Sequence, residues 1–135
     1  MDKEKKVRDS IQHNEFARTF EIEILENSIE YAKGKMKIES KHINRIGSVH
    51  GGAIFSLADT VGGCAAASNG TAAATISGNI NYLSPAINTK EIIAVARKIK
   101  SGKNILVYNI DMFDEKEKLL ATTTFTYFAI NKLKV

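Results

Sequence analysis

The chain is short of several things. It has one cysteine, one proline and three histidines among its 135 residues. Cys64 sits alone in the small and apolar run Gly62-Gly63-Cys64-Ala65-Ala66-Ala67. That excludes an internal disulfide and fits a reducing compartment. No apolar run reaches the roughly 18 residues of a membrane-spanning helix. The first ten residues, MDKEKKVRDS, are charged, and no apolar segment stands behind them. No secretory signal is therefore expected, and the expected location is cytoplasmic, with no membrane partner. A phosphate-cradling glycine loop, a dinucleotide fingerprint and metal-ligand spacing are all missing. His13, His42 and His50 stand apart from the cysteine in sequence, which leaves zinc and cysteine-nucleophile chemistry with little support. The formal charge is +4, but acidic residues are interspersed among the lysines. That argues against a nucleic-acid partner and leaves room for an anionic small molecule.

What is present reads as one domain over residues 1–135, 44% hydrophobic and 25% charged. Residues 2–17 read as a short polar helix, with Val7, Ile11 and Phe16 touching the body. Glu21 to Ile24 and Ile29 to Ile38 alternate with period two and predict a hairpin turning at Asn27-Ser28. Lys33, Lys35 and Lys37 take its solvated face. After a long helix, Ser68-Asn69-Gly70 is a stop signal, with Gly70 suited to a left-handed cap. Four strand-like runs follow, Thr71 to Leu83, Lys90 to Lys100, Asn104 to Phe113 and Lys118 to Ile130, with links short enough to make antiparallel neighbours. The fold class is α+β. One long helix is wrapped by a five- to six-stranded antiparallel sheet, with a short N-terminal helix ahead of it.

The stretch from Asn44 to Gly63, NRIGSVHGGAIFSLADTVGG, organises the rest. Ile54, Leu57, Ala58, Val61 and Ala65 fall at i, i+3, i+4, i+7 and i+11, a helical stripe. Asp59 lies beside that stripe in mid-helix, where it neither caps the helix nor complements its dipole. His50 is placed at the helix start. The Gly51 and Gly52 N–H groups then become unpaired first-turn donors, suited to a developing oxyanion. Asn44, His50, Asp59 and Ser77 are polar groups in an otherwise apolar setting. Each also has a plain structural reading: Asn44 as a turn builder, His50 bonded to a nearby carbonyl, and Asp59 and Ser77 facing water.

The combination Asn44-x-x-Gly47-x-x-His50-Gly51-Gly52, with Asp59 nine residues after the histidine, resembles the signature of hotdog-fold acyl-CoA thioesterases of the phenylacetic-acid-degradation branch, which includes the thioesterase superfamily member 2 group. The later run Asn79-Ile80-Asn81-Tyr82-Leu83-Ser84-Pro85-Ala86 resembles that family's strand after the helix. The resemblance implies a Gly51 N–H that polarises the thioester carbonyl, with Asn44 and His50 orienting that carbonyl or the attacking water. It implies Asp59 as general base or nucleophile, with Ser77 positioning Asp59 or the water. A carboxylate partly withdrawn from water is a better base near neutrality. Gly52, Phe55 and Tyr82 are expected on the substrate. Arg97, Lys100 and Lys103, in the basic turn between the second and third of the four later strands, are expected near the phosphates. The resemblance implies no metal and no redox cofactor, coenzyme A being part of the substrate. Hotdog hydratases or dehydratases of acyl thioesters, and a non-catalytic acyl-CoA sensor, are the alternatives. His50 and Asp59 are about 13 Å apart along one helix axis, too far to engage one carbonyl. A homodimer with shared sites, or a dimer of such dimers, would bring the two groups together.

Overall fold

The computed structural model describes residues 3–134. Residues 1, 2 and 135, which the single-domain and N-terminal-helix ranges include, lie outside the described residues. Two helices rather than one lead the chain, α1 (Lys3–Gln12) and α2 (Glu15–Thr19). The break falls at Asn14, whose side-chain oxygen accepts the Ala17 N–H at 3.3 Å and so caps a second helix. Val7 is buried and Ile11 packs on the core, as expected. Phe16 does not: half of it is exposed, and its ring packs on Phe20 at 4.6 Å.

The hairpin β1 (Ile22–Ser28) and β2 (Tyr31–Lys37) turns at Ile29-Glu30, not at Asn27-Ser28. Glu30 takes a φ of 66°, and its N–H donates to Ser68 Oγ at 3.1 Å, which ties the hairpin tip to the end of the long helix. Asn27 is held instead by α1, accepting from Arg8 at 2.9 Å and donating to the Glu4 carbonyl at 2.8 Å. Ala32, Gly34 and Met36 turn inward, the face that alternation predicts.

The long helix α3 spans Gly51–Ala66, about 24 Å at 1.5 Å per residue. Ile54, Leu57, Ala58, Val61 and Ala65 are all buried, as their spacing requires. Gly70, at φ 99°, follows as the left-handed stop. The opposite edge of α3, carrying Phe55, Ser56, Asp59, Thr60 and Gly63, is only half buried.

β3 (Thr71–Tyr82), β4 (Glu91–Ser101), β5 (Ile105–Asp114) and β6 (Leu119–Lys134) complete one antiparallel sheet in the order β1-β2-β4-β5-β6-β3. The four later strands do not all neighbour one another in sequence order. β3 pairs with β6, and β4 pairs with β2. The link from β3 to β4 passes beneath the start of α3, where the Val49 N–H donates to the Ala86 carbonyl at 3.0 Å, so it crosses over instead of turning back. The sheet wraps α3, packing Met36, Ile92, Ile110, Met112 and Phe125 around it in the hotdog architecture. β3 is left at an edge, with residues 74–79 exposed. Among the described residues no helix is long and apolar enough to cross a membrane.

Candidate active site

The loop ahead of α3 is built by Asn44. Its Oδ1 accepts the N–H groups of Ile46 at 3.0 Å and Ser48 at 3.1 Å, and its Nδ2 donates to Ser48 Oγ at 3.0 Å. The turn-building reading therefore describes what Asn44 does within the chain. One amide hydrogen remains uncommitted beside His50 and Gly51, with which Asn44 lines a cleft of about 420 Å³.

His50 is the N-cap of α3, and its exposed ring folds back so that Nδ1 accepts the Gly52 N–H at 2.8 Å. The neutral ring then carries its proton on Nε2, directed away from that bond. This corrects one expectation: Gly52 is not an unpaired donor, and Gly51 alone keeps a first-turn N–H without a partner. The Gly51 carbonyl accepts the Tyr82 hydroxyl at 2.7 Å, and a Cβ on Gly51 would stand 2.9 Å from that oxygen. Tyr82 thus braces the helix start, and glycine at 51 lets it come that close. Partial burial raises the Tyr82 phenol above its ordinary value, so it remains a donor. A second residue supports this corner with no signal in the sequence. His42 is buried, its Nδ1 accepting from the Glu39 N–H at 2.9 Å and its Nε2 reaching the Phe20 carbonyl at 3.0 Å. The His42 carbonyl in turn takes the His50 N–H at 2.7 Å.

Asp59 lies two turns further along α3, about 12 Å from Gly51. Its Oδ1 accepts the Thr75 hydroxyl at 2.7 Å, and its backbone carbonyl accepts Tyr127 Oη at 3.2 Å. Burial, with the Asp59 charge adding to it, pushes the Tyr127 phenol well above its ordinary value and keeps it a neutral donor. Thr75, not Ser77, holds the carboxylate. The strand register slips between Thr75 and Ser77, so Thr75 pairs with Tyr127 while Ser77 pairs with Thr126. Phe125 and Tyr127 face the helix, which puts Thr126 and Ser77 on the other side of the sheet. Ser77 is exposed and makes no side-chain hydrogen bond.

Phe55 is half buried, its ring 5.0 Å from that of Phe125. Arg97 lies over the Tyr31 ring at 5.2 Å, and Lys100 and Lys103 are exposed. This basic turn stands at the far end of α3 from His50. Lys98 pairs with Glu30 at 3.2 Å, and Glu30 is bonded to Ser68 just past the end of the helix. Within one chain the expected residues therefore fall into two groups, the Asn44–Gly51 corner and the Asp59–Thr75 pair, which the fold does not bring together. No group of three or more His, Cys, Asp or Glu side chains that could hold a metal ion occurs among the described residues. Cys64 is buried and its thiol is pushed up to about 12.

Similarity to known proteins bears on this arrangement. The Thioesterase superfamily pattern matches residues 46–121, from the loop ahead of α3 into β6. A putative esterase of Archaeoglobus fulgidus is 31% identical over 94% of this chain and 83% of its own length. The acyl-coenzyme A thioesterase PaaI of Escherichia coli is 31% identical over 78% of this chain and 75% of its own. Its solved structure superposes with a TM-score of 0.90, covering 95% of this chain and 94% of that one, at 27% identity. A Streptococcus mutans protein solved with acetyl CoA bound is 27% identical, with a TM-score of 0.81 over 90% of this chain and 99% of that one. By sequence pattern and by fold, the chain belongs to the thioesterase superfamily of hotdog thioester hydrolases.

Proposed function

We propose that the protein is an acyl-CoA thioesterase, releasing a free acid and the coenzyme A thiol, and that two chains build each site. The observation that carries this reading is a pair of incomplete half-sites on one helix. One offers an uncommitted N–H at Gly51, and the other a carboxylate held by Thr75. Hydrolysis of a thioester needs an oxyanion donor and a base, and little else. The thioester oxygen would sit at the Gly51 N–H, aided by the N-terminal dipole of α3. Asn44 and the His50 Nε2–H would orient that oxygen or the incoming water. Asp59 would take a proton from water as the water oxygen bonds to the carbonyl carbon. As the tetrahedral oxyanion collapses, the C–S bond breaks and the departing sulfur takes up the proton that Asp59 accepted. Attack by the Asp59 carboxylate itself, with hydrolysis of the resulting anhydride, uses the same groups. Thr75 would hold Asp59 in place, the role first expected of Ser77. The reaction so drawn uses no metal or redox cofactor, and coenzyme A enters as the acyl carrier.

An antiparallel pair of α3 helices about a two-fold axis would set the Gly51 of one chain against the Asp59 of its partner. The exposed edge of β3 supports such pairing, since an unpaired strand edge is a template for another strand. The same symmetry carries the partner's basic turn to the Gly51 end, where the nucleotide phosphates could meet Arg97, Lys100 and Lys103.

The test is thiol release from a panel of acyl-CoAs, from acetyl to long-chain and aryl, by the wild type and by Asp59→Ala. We expect turnover on at least one member and its near-complete loss in the folded variant. Near wild-type turnover by Asp59→Ala would remove Asp59 from the reaction.

A further inference from the structure

Beside Asp59, α3 leaves a trough of about 290 Å³ between the N-terminal helices and β3. Asp59, Gly63 and Ala67, at i, i+4 and i+8, form its floor. α1 forms one wall and runs antiparallel to α3. Lys3 packs on Gly70 past the end of α3, while Gln12, at the other end of α1, bonds Ile22 and Ile24 at the start of β1. Val7 and Ile11 therefore face the stretch from Ala67 back towards Gly63, with Ala72 and Ala73 of β3 opposite. Ser10, Asn14 and Thr60 join Asp59 and Thr75 as the polar lining of the trough, and the end at Ala67, Ala72 and Ala73 is apolar.

The two adjacent glycines of α3 differ in what explains them. A Cβ on Gly62 would collide with Tyr127 Oη and stand 2.8 Å from Ile110 Cδ1, so the packing of this chain requires glycine there. A Cβ on Gly63 would meet nothing nearer than Tyr127 Cε1 at 3.9 Å, an ordinary contact. Alanine would fit at 63 and would favour the helix. Glycine there leaves open the floor of the trough one turn from the carboxylate.

We propose that this trough holds the acyl group, with the thioester carbonyl at Asp59 and the tail running towards Ala67. Gly63 and the α1 wall, Ile11 foremost, set the length of tail accepted. This rests on the acyl-CoA thioesterase reading and deepens it by naming the acyl class. The volume is about twice the 150 Å³ that encloses a benzene ring, which suits acyl groups up to medium length.

The experiment measures kcat/KM for thiol release along a ladder of saturated acyl-CoAs, from acetyl to palmitoyl, for wild type, Gly63→Leu and Ile11→Ala. Each methylene buried in the trough should raise kcat/KM roughly fourfold, until the tail fills it and the rise stops. Gly63→Leu should move that break to shorter chains and lower the medium-to-short preference roughly tenfold or more. Ile11→Ala should move the break to longer chains. General destabilisation cannot produce shifts of opposite sign, and if Gly63→Leu does not fold, the direction of the Ile11→Ala shift decides. Unmoved breaks in folded variants overturn the acyl trough and leave the thioesterase standing. So does a Gly63→Leu chain that loses its oligomeric state while Ile11→Ala leaves the break in place, since Gly63 then serves a contact between helices. A wild type that releases no thiol from any rung brings down the functional reading itself.

Discussion

The hydroxyl of Thr75 donates to a carboxylate, and hydrogen bonds to charged groups contribute about 1.5–3 kcal/mol, more than bonds between neutral ones. Thr75→Val keeps the shape of the side chain and removes that donor. If Thr75 fixes the direction of Asp59, kcat should fall roughly 10- to 100-fold with little change in KM. Ser77→Ala, on the other face of the sheet, should leave kcat within about twofold of wild type by the same accounting. The reverse ranking in steady-state thiol release would return the positioning role to Ser77. The sequence points to Ser77, whereas the hydrogen bond to Asp59 comes from Thr75, and the difference has a definite reason. Strict period-two alternation puts Thr75 and Ser77 on one face, and the extra residue at Ile76 undoes it. Gly78 hints at an irregular strand in the run Thr75-Ile76-Ser77-Gly78, but it does not say which residue is the extra one. The place of His50 at the helix start was legible because two glycines and a helical stripe follow it. His42 was not, because its role depends on the Phe20 and Glu39 backbones, which only folding brings to it.

At the scale of elements, the apolar stripe of α3 was legible residue by residue, since its 3.6-residue period does not depend on the rest of the chain. Where tertiary contacts compete with local chemistry, the local signal lost. Asn27-Ser28 has turn composition, yet α1 holds Asn27 by two hydrogen bonds and the turn moves on to Glu30. The order of strands was also hidden, because a link of the length between β3 and β4 allows either a turn or a crossing. Packing between α3 and β6 can be tested through Gly62. Overpacking costs about 1–3 kcal/mol, while replacing a mid-helix glycine by alanine returns about 1. Gly62→Ala should therefore be destabilising by up to roughly 2 kcal/mol in urea titration, from the collision with Tyr127 Oη and the crowding at Ile110. In a Tyr127→Phe background the same substitution should cost less, because the nearest atom is gone. An equal cost in both backgrounds would mean that Tyr127 is not the obstacle.

The whole molecule has a polarity along α3. Gly51 and the Asn44 loop stand at one end, the basic turn stands at the other, and Asp59 faces the half-buried edge between them. A single chain offers these groups to different volumes of space, and a two-fold partner would superimpose them. β3 would supply the means, a long edge strand with Ile76 more than half exposed, a feature that monomeric proteins ordinarily blunt with charge or proline. The consequence can be measured by co-expressing differently tagged Asn44→Ala and Asp59→Ala chains and isolating the mixed dimer. Asn44→Ala removes three hydrogen bonds that shape the loop beside Gly51, so it disables the donor half-site, and Asp59→Ala disables the other. If each site takes its loop from one chain and its carboxylate from the partner, the mixed dimer has one site with both lesions and one with neither. It should then recover about half of the wild-type activity. If each site lies within one chain, every site carries a lesion and the mixture stays as inactive as its parents. A verified heterodimer with no activity above either parent would show that the Gly51 corner and Asp59 do not meet across two chains.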